Sequence, residues 1–363
     1  MRFIKNYLVL AAINSCLALF ANANTCWSAS NPLIWKSEDG MLKVNGKPYH
    51  LKGTSWFGFE TDTNAPHGAW SKSIDWFLDF LKNNNFNTLR LPFSVKLLLE
   101  NPSNTNVDCG SNGYRICKLG ALDLMEVVID KCADRGIMVM LDQHRLNSKE
   151  IATRWHGSFQ YDNEYPEWKV YQSWDILLGR FATKWNIIAL DIKNEPHGDA
   201  SWGKNNQWTD WNKAAEKIIN HINQKFPNYN GLFFVEGVQN NADSATPNNW
   251  AHFWAENLEG VHRHPINVGH LNDRVVYSPH VYGPDGFMQS YFKEWSFPGN
   301  MDKIWRTHFG FVEQQTGRAS VVGEWGGRYE HGSKDRIWQD TFAKWLRDNC
   351  QSDQFYWCLN PNS

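Results

Sequence analysis

Ile187-Ile188-Ala189-Leu190-Asp191-Ile192-Lys193-Asn194-Glu195-Pro196 is an apolar run that ends in polar residues and a proline. A stretch of this kind, closed by a breaker, reads as a buried strand that delivers its last side chains to a surface. Ser320-Val321-Val322-Gly323-Glu324-Trp325-Gly326-Gly327 repeats the plan, with Glu324 one residue ahead of a glycine pair. Both glutamates are therefore expected to project from strand ends. Two carboxylates so placed are the minimum equipment for cleaving a glycosidic bond. One protonates the leaving oxygen while the other attacks or stabilises the anomeric carbon.

Outward from these two stretches, strand-like runs recur at 50–53, 88–93, 137–142, 187–192, 232–236, 275–281, 320–323 and 355–359. Between them, segments 73–83, 122–135, 211–226 and 335–349 place apolar residues at helical spacing. Strands apolar on both faces that alternate with helices predict an α/β fold, a (β/α)8 TIM barrel, over a doubly wound sheet. Residues 42–51, centred on Asn45-Gly46, read as a hairpin suited to plug the floor of such a barrel. With no linker or internal repeat in sight, one catalytic domain is expected over 24–363, truncated after strand eight and lacking a final helix. Large side chains there, such as Tyr356, should then be exposed.

Arg2 and Lys5, an apolar stretch over 7–20, and Ala21-Asn22-Ala23 follow the order of a secretory signal. The apolar part is too short for a membrane span. A signal peptide at 1–23, cleavage after Ala23 and a secreted, extracellular product are expected, with no membrane attachment afterwards. Cleavage leaves Cys26, Cys109, Cys117, Cys132, Cys350 and Cys358 in an oxidising compartment, and Cys109 with Cys117 is the expected disulfide. A formal net charge of −2 without a basic block argues against nucleic acid or acidic lipid as a partner. A neutral ligand and a monomer are expected, with no cofactor and no metal.

The chain carries 20 Trp, 12 Tyr and 21 Phe, more aromatic surface than a core alone requires. Trp56, Trp155, Trp202, Trp208, Trp254 and Trp295 lie in or beside polar, loop-like stretches, where flat faces would stack on the C–H faces of sugar rings. Core packing is the ordinary alternative for each.

In a (β/α)8 barrel the C-terminal ends of the strands carry the chemistry. The polar or aromatic residues at those ends are Arg90, His144, Asn194, Glu195, Glu236, His280, Tyr282, Glu324 and Trp357. Each alone has an ordinary explanation: an arginine pairs with any carboxylate, and a lone histidine is often a satisfied core residue. Arriving together from different strands, they converge on one rim. Two carboxylates close together there resist ionising together, so one pKa should rise while the other stays low.

The ordered motifs Asn194-Glu195-Pro196-His197 and Gly323-Glu324-Trp325-Gly326 resemble the two glutamate motifs of the glycoside hydrolases of family 5. Trp56-Phe57-Gly58-Phe59-Glu60-Thr61, Arg90-Leu91-Pro92-Phe93-Ser94, Leu141-Asp142-Gln143-His144-Arg145, Phe234-Val235-Glu236-Gly237, Tyr277-Ser278-Pro279-His280-Val281-Tyr282 and Trp357-Cys358-Leu359-Asn360 are similar to motifs of its bacterial-type endo-β-1,4-glucanases. The resemblance runs from about residue 42 to the end. It implies a retaining hydrolase of β-glucans with Glu195 as acid/base and Glu324 as nucleophile. Arg90 and Tyr282 would steady the Glu324 anion, and Asn194 would bind the sugar 2-hydroxyl. His144 and His280 would orient hydroxyls or the acid. Trp357, beside a cis peptide bond, would floor the cleavage subsite, and Glu236 would be structural. Trp56 and Trp155 join the expected substrate-binding or supporting residues.

Three alternatives stand beside this. An endo-β-1,4-mannanase would use the same rim, and a catalytically inactive carbohydrate-binding barrel would keep the fold. A metal hydrolase built on His262 and His264 lacks a visible third ligand.

Overall fold

A computed structural model describes residues 32–157, 164–245 and 248–360, so the expected signal peptide at 1–23 and Cys26 lie outside the described residues. Eight parallel strands form the barrel: β1 (Lys52–Ser55), β2 (Thr88–Ser94), β3 (Met138–Arg145), β4 (Ile187–Asp191), β5 (Leu232–Glu236), β6 (Val275–Ser278), β7 (Val322–Trp325) and β8 (Gln354–Tyr356). The sheet runs β6-β5-β4-β3-β2-β1-β8-β7, and parallel bridges from Tyr277 to Ser320 and from His280 to Glu324 close it into a cylinder. The predicted (β/α)8 barrel is the observed fold. Every residue of β2, β4, β5 and β6 is buried, the pattern of strands covered on both faces. β6 stops short of the expected 281 because Pro279 has no N–H for the ladder.

Around the strands lie α1 (Ile74–Asn83), α2 (Ala121–Ala133), α3 (Glu167–Phe181), α4 (Trp211–Lys225) and α5 (Lys334–Asp348). Ser73 caps α1 and Ser333 caps α5, each accepting a backbone N–H in the first turn, a contact worth about 1 kcal/mol. Between β5 and β6 the full helix of an ideal barrel is replaced by 3-10 turns at Glu259–His262 and Gly269–Arg274. Between β6 and β7 the chain runs through Met301–Trp305, a π-helical turn at Arg306–Gly310, and Val312–Thr316.

The expected hairpin exists and closes the floor. Met41–Val44 pairs antiparallel with Lys47–Pro48 and with Trp35–Glu38, and the turn places both Asn45 (φ 48°) and Gly46 (φ 77°) in the left-handed region. Trp35, Leu42 and Leu51 then pack under Ile188, Phe234 and Val276 inside the barrel. Phe355 fills the centre because Gly53 has no side chain: a Cβ there would stand 2.3 Å from the Phe355 ring.

Tyr356 departs from expectation. It is half-buried, its ring set edge-on to Trp325 and its hydroxyl donating to Gln339 of α5, so the neighbouring helix shields the outer wall at this point. Cys109 and Cys117 form the expected disulfide. No helix among the described residues is long and apolar enough to cross a membrane.

Candidate active site

Arg90 on β2 is fully buried and organises the rim. Its Nε donates to Asp191 at 3.0 Å and its Nη2 to Asn194 Oδ1 at 2.8 Å, while Nη1 donates to Glu324 Oε1. Asp142 stands 3.0 Å and Glu236 3.5 Å from Nη2. Burial disfavours the charge, but the four carboxylates outweigh it and hold the guanidinium firmly protonated. A buried charge is tolerated only with such pairing.

Glu324 ends β7 between three donors. Arg90 donates to one oxygen, the Tyr282 hydroxyl donates to the other at 2.7 Å, and His280 Nδ1 lies 3.7 Å from that second oxygen. Burial alone would raise its pKa. His280 and Arg90, with the Tyr282 hydrogen bond, prevail and hold it below the usual carboxylate range.

Glu195 follows β4 in a different setting. Its backbone is left-handed (φ 49°), a conformation costing a non-glycine residue about 1–3 kcal/mol and kept only where neighbours over-determine it. Those neighbours are Glu236, which accepts the Glu195 N–H at 2.6 Å, and His197, whose Nδ1 donates to the Glu195 carbonyl at 2.7 Å. The carboxyl meets one charged partner, His280 Nδ1 at 3.3 Å. Burial raises its pKa, and that bond only partly opposes the rise while the Glu324 charge adds to it. Glu236 thus acts on the Glu195 backbone.

His280 links the carboxylates. Its Nδ1 faces Glu195 and Glu324, and its Nε2 lies 3.1 Å from Glu236. Burial disfavours its charge, but Glu236 and Glu324 raise its pKa well above the ordinary value. Gly323 makes room for it, since a Cβ there would stand 2.7 Å from His280 Nε2. His144 is the opposite case, because burial pushes its pKa well down and the ring is neutral. Its Nδ1 donates to Asp142 at 2.7 Å, which leaves Nε2 to accept from the Asn194 amide at 3.4 Å. Asn194 is held between Arg90 and His144, its oxygen toward the first and its nitrogen toward the second.

Trp357 lies flat between Phe57 and His144, at ring separations of 5.6 and 5.5 Å, and its bond to Cys358 is cis as the resemblance implied. A cleft of about 560 Å³ opens beside Glu195 and Tyr282, walled by His252, Trp254, Phe287 and Gln289. Trp254 is 40% exposed and stacks on His197 at 3.7 Å, so one face is supported and the other is offered to the cleft.

The sugar-stacking role expected of Trp56 and Trp155 is corrected. Trp56 is fully buried with its Nε1 donating to the His67 carbonyl, and Trp155 is 2% exposed with its Nε1 donating to Glu167. Their loops fold back on the barrel wall, so both rings are core and support the rim from behind. Trp202 is likewise buried, whereas Trp208 and Trp295 are exposed outside this cleft. Asp142 and Asp191, the carboxylates beneath Arg90, were not singled out from sequence, although each is the first polar residue after an apolar run. His262 stacks on Phe311 and His264 pairs with Asp243. Among the described residues neither joins a cluster of three ligating groups.

One oxygen of Glu195 and one of Glu324 lie within 4.8 Å of each other. Burial pushes the pKa of one carboxyl up while its neighbour's donors hold the other down, in an open cleft with an aromatic wall. Such a pair can donate a proton to a leaving group and attack the carbon that it leaves.

The sequence matches the family described as Cellulase (glycosyl hydrolase family 5) over residues 42–363. It is 34% identical to an endoglucanase of Paenibacillus polymyxa, over 99% of this chain and 88% of the relative. It is 35% identical to the major extracellular endoglucanase of Xanthomonas campestris pv. campestris, over 97% of this chain and 69% of the relative. Among solved structures, a hyperthermophilic endocellulase of Pyrococcus horikoshii superposes with a TM-score of 0.85 at 35% identity, covering 91% of this chain and 92% of that one. Glutamate-to-alanine variants of that enzyme have been solved with cellotetraose.

Proposed function

This chain belongs to glycosyl hydrolase family 5, the cellulases, and from that premise we propose an exported, retaining endo-β-1,4-glucanase that cuts internal bonds of cellulose or related β-glucans. The observation that carries the proposal is the pair Glu195 and Glu324, within 4.8 Å of each other, with pKa values pushed in opposite directions. That spacing favours retention, for which carboxyl groups stand about 5–5.5 Å apart, over inversion at about 6.5–9.5 Å.

In the first step the Glu324 carboxylate attacks the anomeric carbon while Glu195 gives its proton to the glycosidic oxygen, and the C–O bond breaks. A glycosyl ester on Glu324 results. In the second step Glu195, now a carboxylate, takes a proton from water as that water attacks the same carbon and releases Glu324. Arg90 and Tyr282 keep Glu324 ionised and poised. Asn194, fixed by Arg90 and His144, meets the 2-hydroxyl, a contact that strengthens in the transition state. His280 couples the two carboxyls. Trp357 floors the subsite and Trp254 offers a second sugar platform. All these groups come from one chain, so a monomer suffices.

A leader at 1–23 ahead of the catalytic domain at 24–363 supplies export, which the extracellular Xanthomonas relative supports. The cellotetraose complexes of the Pyrococcus relative support a β-glucan as the partner. The test is a panel of carboxymethylcellulose, mixed-linkage β-glucan and mannan with product chromatography. Viscosity of the cellulose derivative should fall before reducing ends accumulate. Faster release from mannan would move the assignment to a mannanase, and no reducing sugar from any substrate would leave an inactive binding barrel.

A further inference from the structure

Behind the cleft wall lies a second group of ligating side chains that the hydrolytic chemistry does not use: His252, Glu256, Glu259 and His308, all buried. One ligating atom each of His252, Glu259 and His308 falls within a 4.8 Å circle. The first three come from the loop after β5. His308 comes from the π-helical turn at Arg306–Gly310, whose backbone also meets that loop where the Leu258 N–H donates to the His308 carbonyl at 3.0 Å. π-helical turns inside helices often mark functional positions.

The His252 backbone N–H donates to Asn240 Oδ1, and the same oxygen faces His252 Nδ1 at 3.3 Å. With the ring proton on Nδ1, His252 turns its Nε2 lone pair toward Glu259 Oε1, 3.0 Å away, where a cation can bridge the two; with the proton on Nε2, the pair is an ordinary hydrogen bond. Glu259 also accepts from Ser244 and from the Asn248 amide. His308 repeats the pattern, with Nδ1 2.9 Å from Glu256 Oε1 and a buried Nε2 that has no hydrogen-bond partner among the described residues. A histidine held by a carboxylate at one nitrogen and free at the other is the usual form of a metal-ligating imidazole. Among the described residues, no lysine or arginine comes within 4.0 Å of Glu256 or Glu259 to balance their charge.

We propose that His252, Glu259 and His308 hold a divalent transition metal of the zinc class, with Glu256 as the outer partner of His308. Two imidazoles and a carboxylate suit zinc better than calcium, which takes oxygen ligands. Ligands on a tetrahedral ion with bonds of about 2.0–2.1 Å stand about 3.3 Å apart, close to the His252–Glu259 separation. The ion would pin the loop carrying Phe253 and Trp254 to the segment before β7. Its role is structural and independent of the hydrolase reading.

The test uses the full purified chain, stripped with a chelator and dialysed. Elemental analysis and calorimetry with zinc alone should find one tight site per chain. A hundredfold excess of zinc over its Kd should raise the melting temperature by about 5 °C. Cobalt in place of zinc should give the visible absorption of a tetrahedral N/O site. His308→Gln should abolish the stoichiometric site, and the milder Glu256→Gln, which keeps every ligand, should weaken binding by about 10–100-fold. If folded wild-type chain shows neither binding nor a melting shift, the pairs are two histidinium–carboxylate contacts and the proposal fails. Unchanged zinc binding by a folded His308→Gln chain, or by Glu256→Gln if His308→Gln does not fold, would place the ion elsewhere and overturn it equally.

Discussion

Glu324 and Glu195 are the same residue type on strand ends less than 5 Å apart, yet their surroundings share little beyond His280. The end of β7 gives Glu324 two direct hydrogen-bond donors, Arg90 and Tyr282, and places a charged imidazole beside it. The end of β4 gives Glu195 that imidazole alone and spends its other contacts on a strained backbone, held by Glu236 and His197. The contrast teaches that the opposite pKa shifts of the two carboxyls are set by donors attached to other strands, and on the proposed mechanism these shifts divide the labour between them. Each prediction below removes one side of it.

The largest effect is expected at the nucleophile. Glu324→Gln should lower kcat/KM on carboxymethylcellulose by at least about 10⁴-fold, whereas Glu195→Gln should cost about 10²–10⁴-fold on that substrate. The loss for Glu195→Gln should shrink in the glycosylation step with an activated aryl cellobioside, because a good leaving group needs little protonation. Equal losses for both variants on both substrates would erase the contrast.

Next comes the support of the anion. Tyr282→Phe keeps the ring and removes one donor to Glu324, with an expected rate loss of about 10²–10³-fold. On the proposed mechanism the active form has Glu324 ionised and Glu195 protonated, so activity should fall at low pH as Glu324 gains its proton and at high pH as Glu195 loses its own. Glu324 is held low by His280, Arg90 and the Tyr282 hydroxyl. Removing that hydroxyl raises its pKa, so the acid limb of the kcat/KM profile should move to higher pH. An acid limb that stays in place would mean that the hydroxyl does not tune Glu324.

The smallest effect on chemistry separates rim from core. Trp254→Ala should raise KM with little change in kcat or melting temperature, because that ring is partly exposed on the cleft wall. Trp56→Ala should instead cost about 3–5 kcal/mol of stability, the range for emptying a buried aromatic site. Calorimetry and steady-state kinetics on both variants distinguish the two tryptophans.

These tryptophans also mark where sequence stops being informative. The strand runs were legible because burial on both faces leaves uninterrupted apolar stretches, and the glutamates because a proline or glycine follows each within two residues. Arg90, Asn194, His280 and Tyr282 followed from their places at strand ends. Loop tryptophans carry no such signal: Trp56 and Trp254 both sit beside polar residues, and only the path of the loop decides which is covered. Asp142 and Asp191 were hidden for another reason. Each looks like the polar residue that closes an apolar run, and its meaning appears only when the barrel brings Arg90 from β2 beside it. The irregular segment before β7 was illegible too, since a π-helical turn has no periodic signature, and it is this turn that brings His308 to Glu256.

The central claim is that Glu324 attacks and Glu195 transfers the proton, and product stereochemistry with azide tests it most directly. With an aryl β-cellobioside, Glu324→Ala opens the α face, so azide displaces the aryl group there and should give an α-glycosyl azide. Glu195→Ala still forms the ester on Glu324, and azide attacking the opposite face should give a β-glycosyl azide. Nuclear magnetic resonance of the two products should therefore show opposite anomers. Swapped anomers would reverse the roles of the two glutamates, and the same anomer from both would contradict double displacement through Glu324.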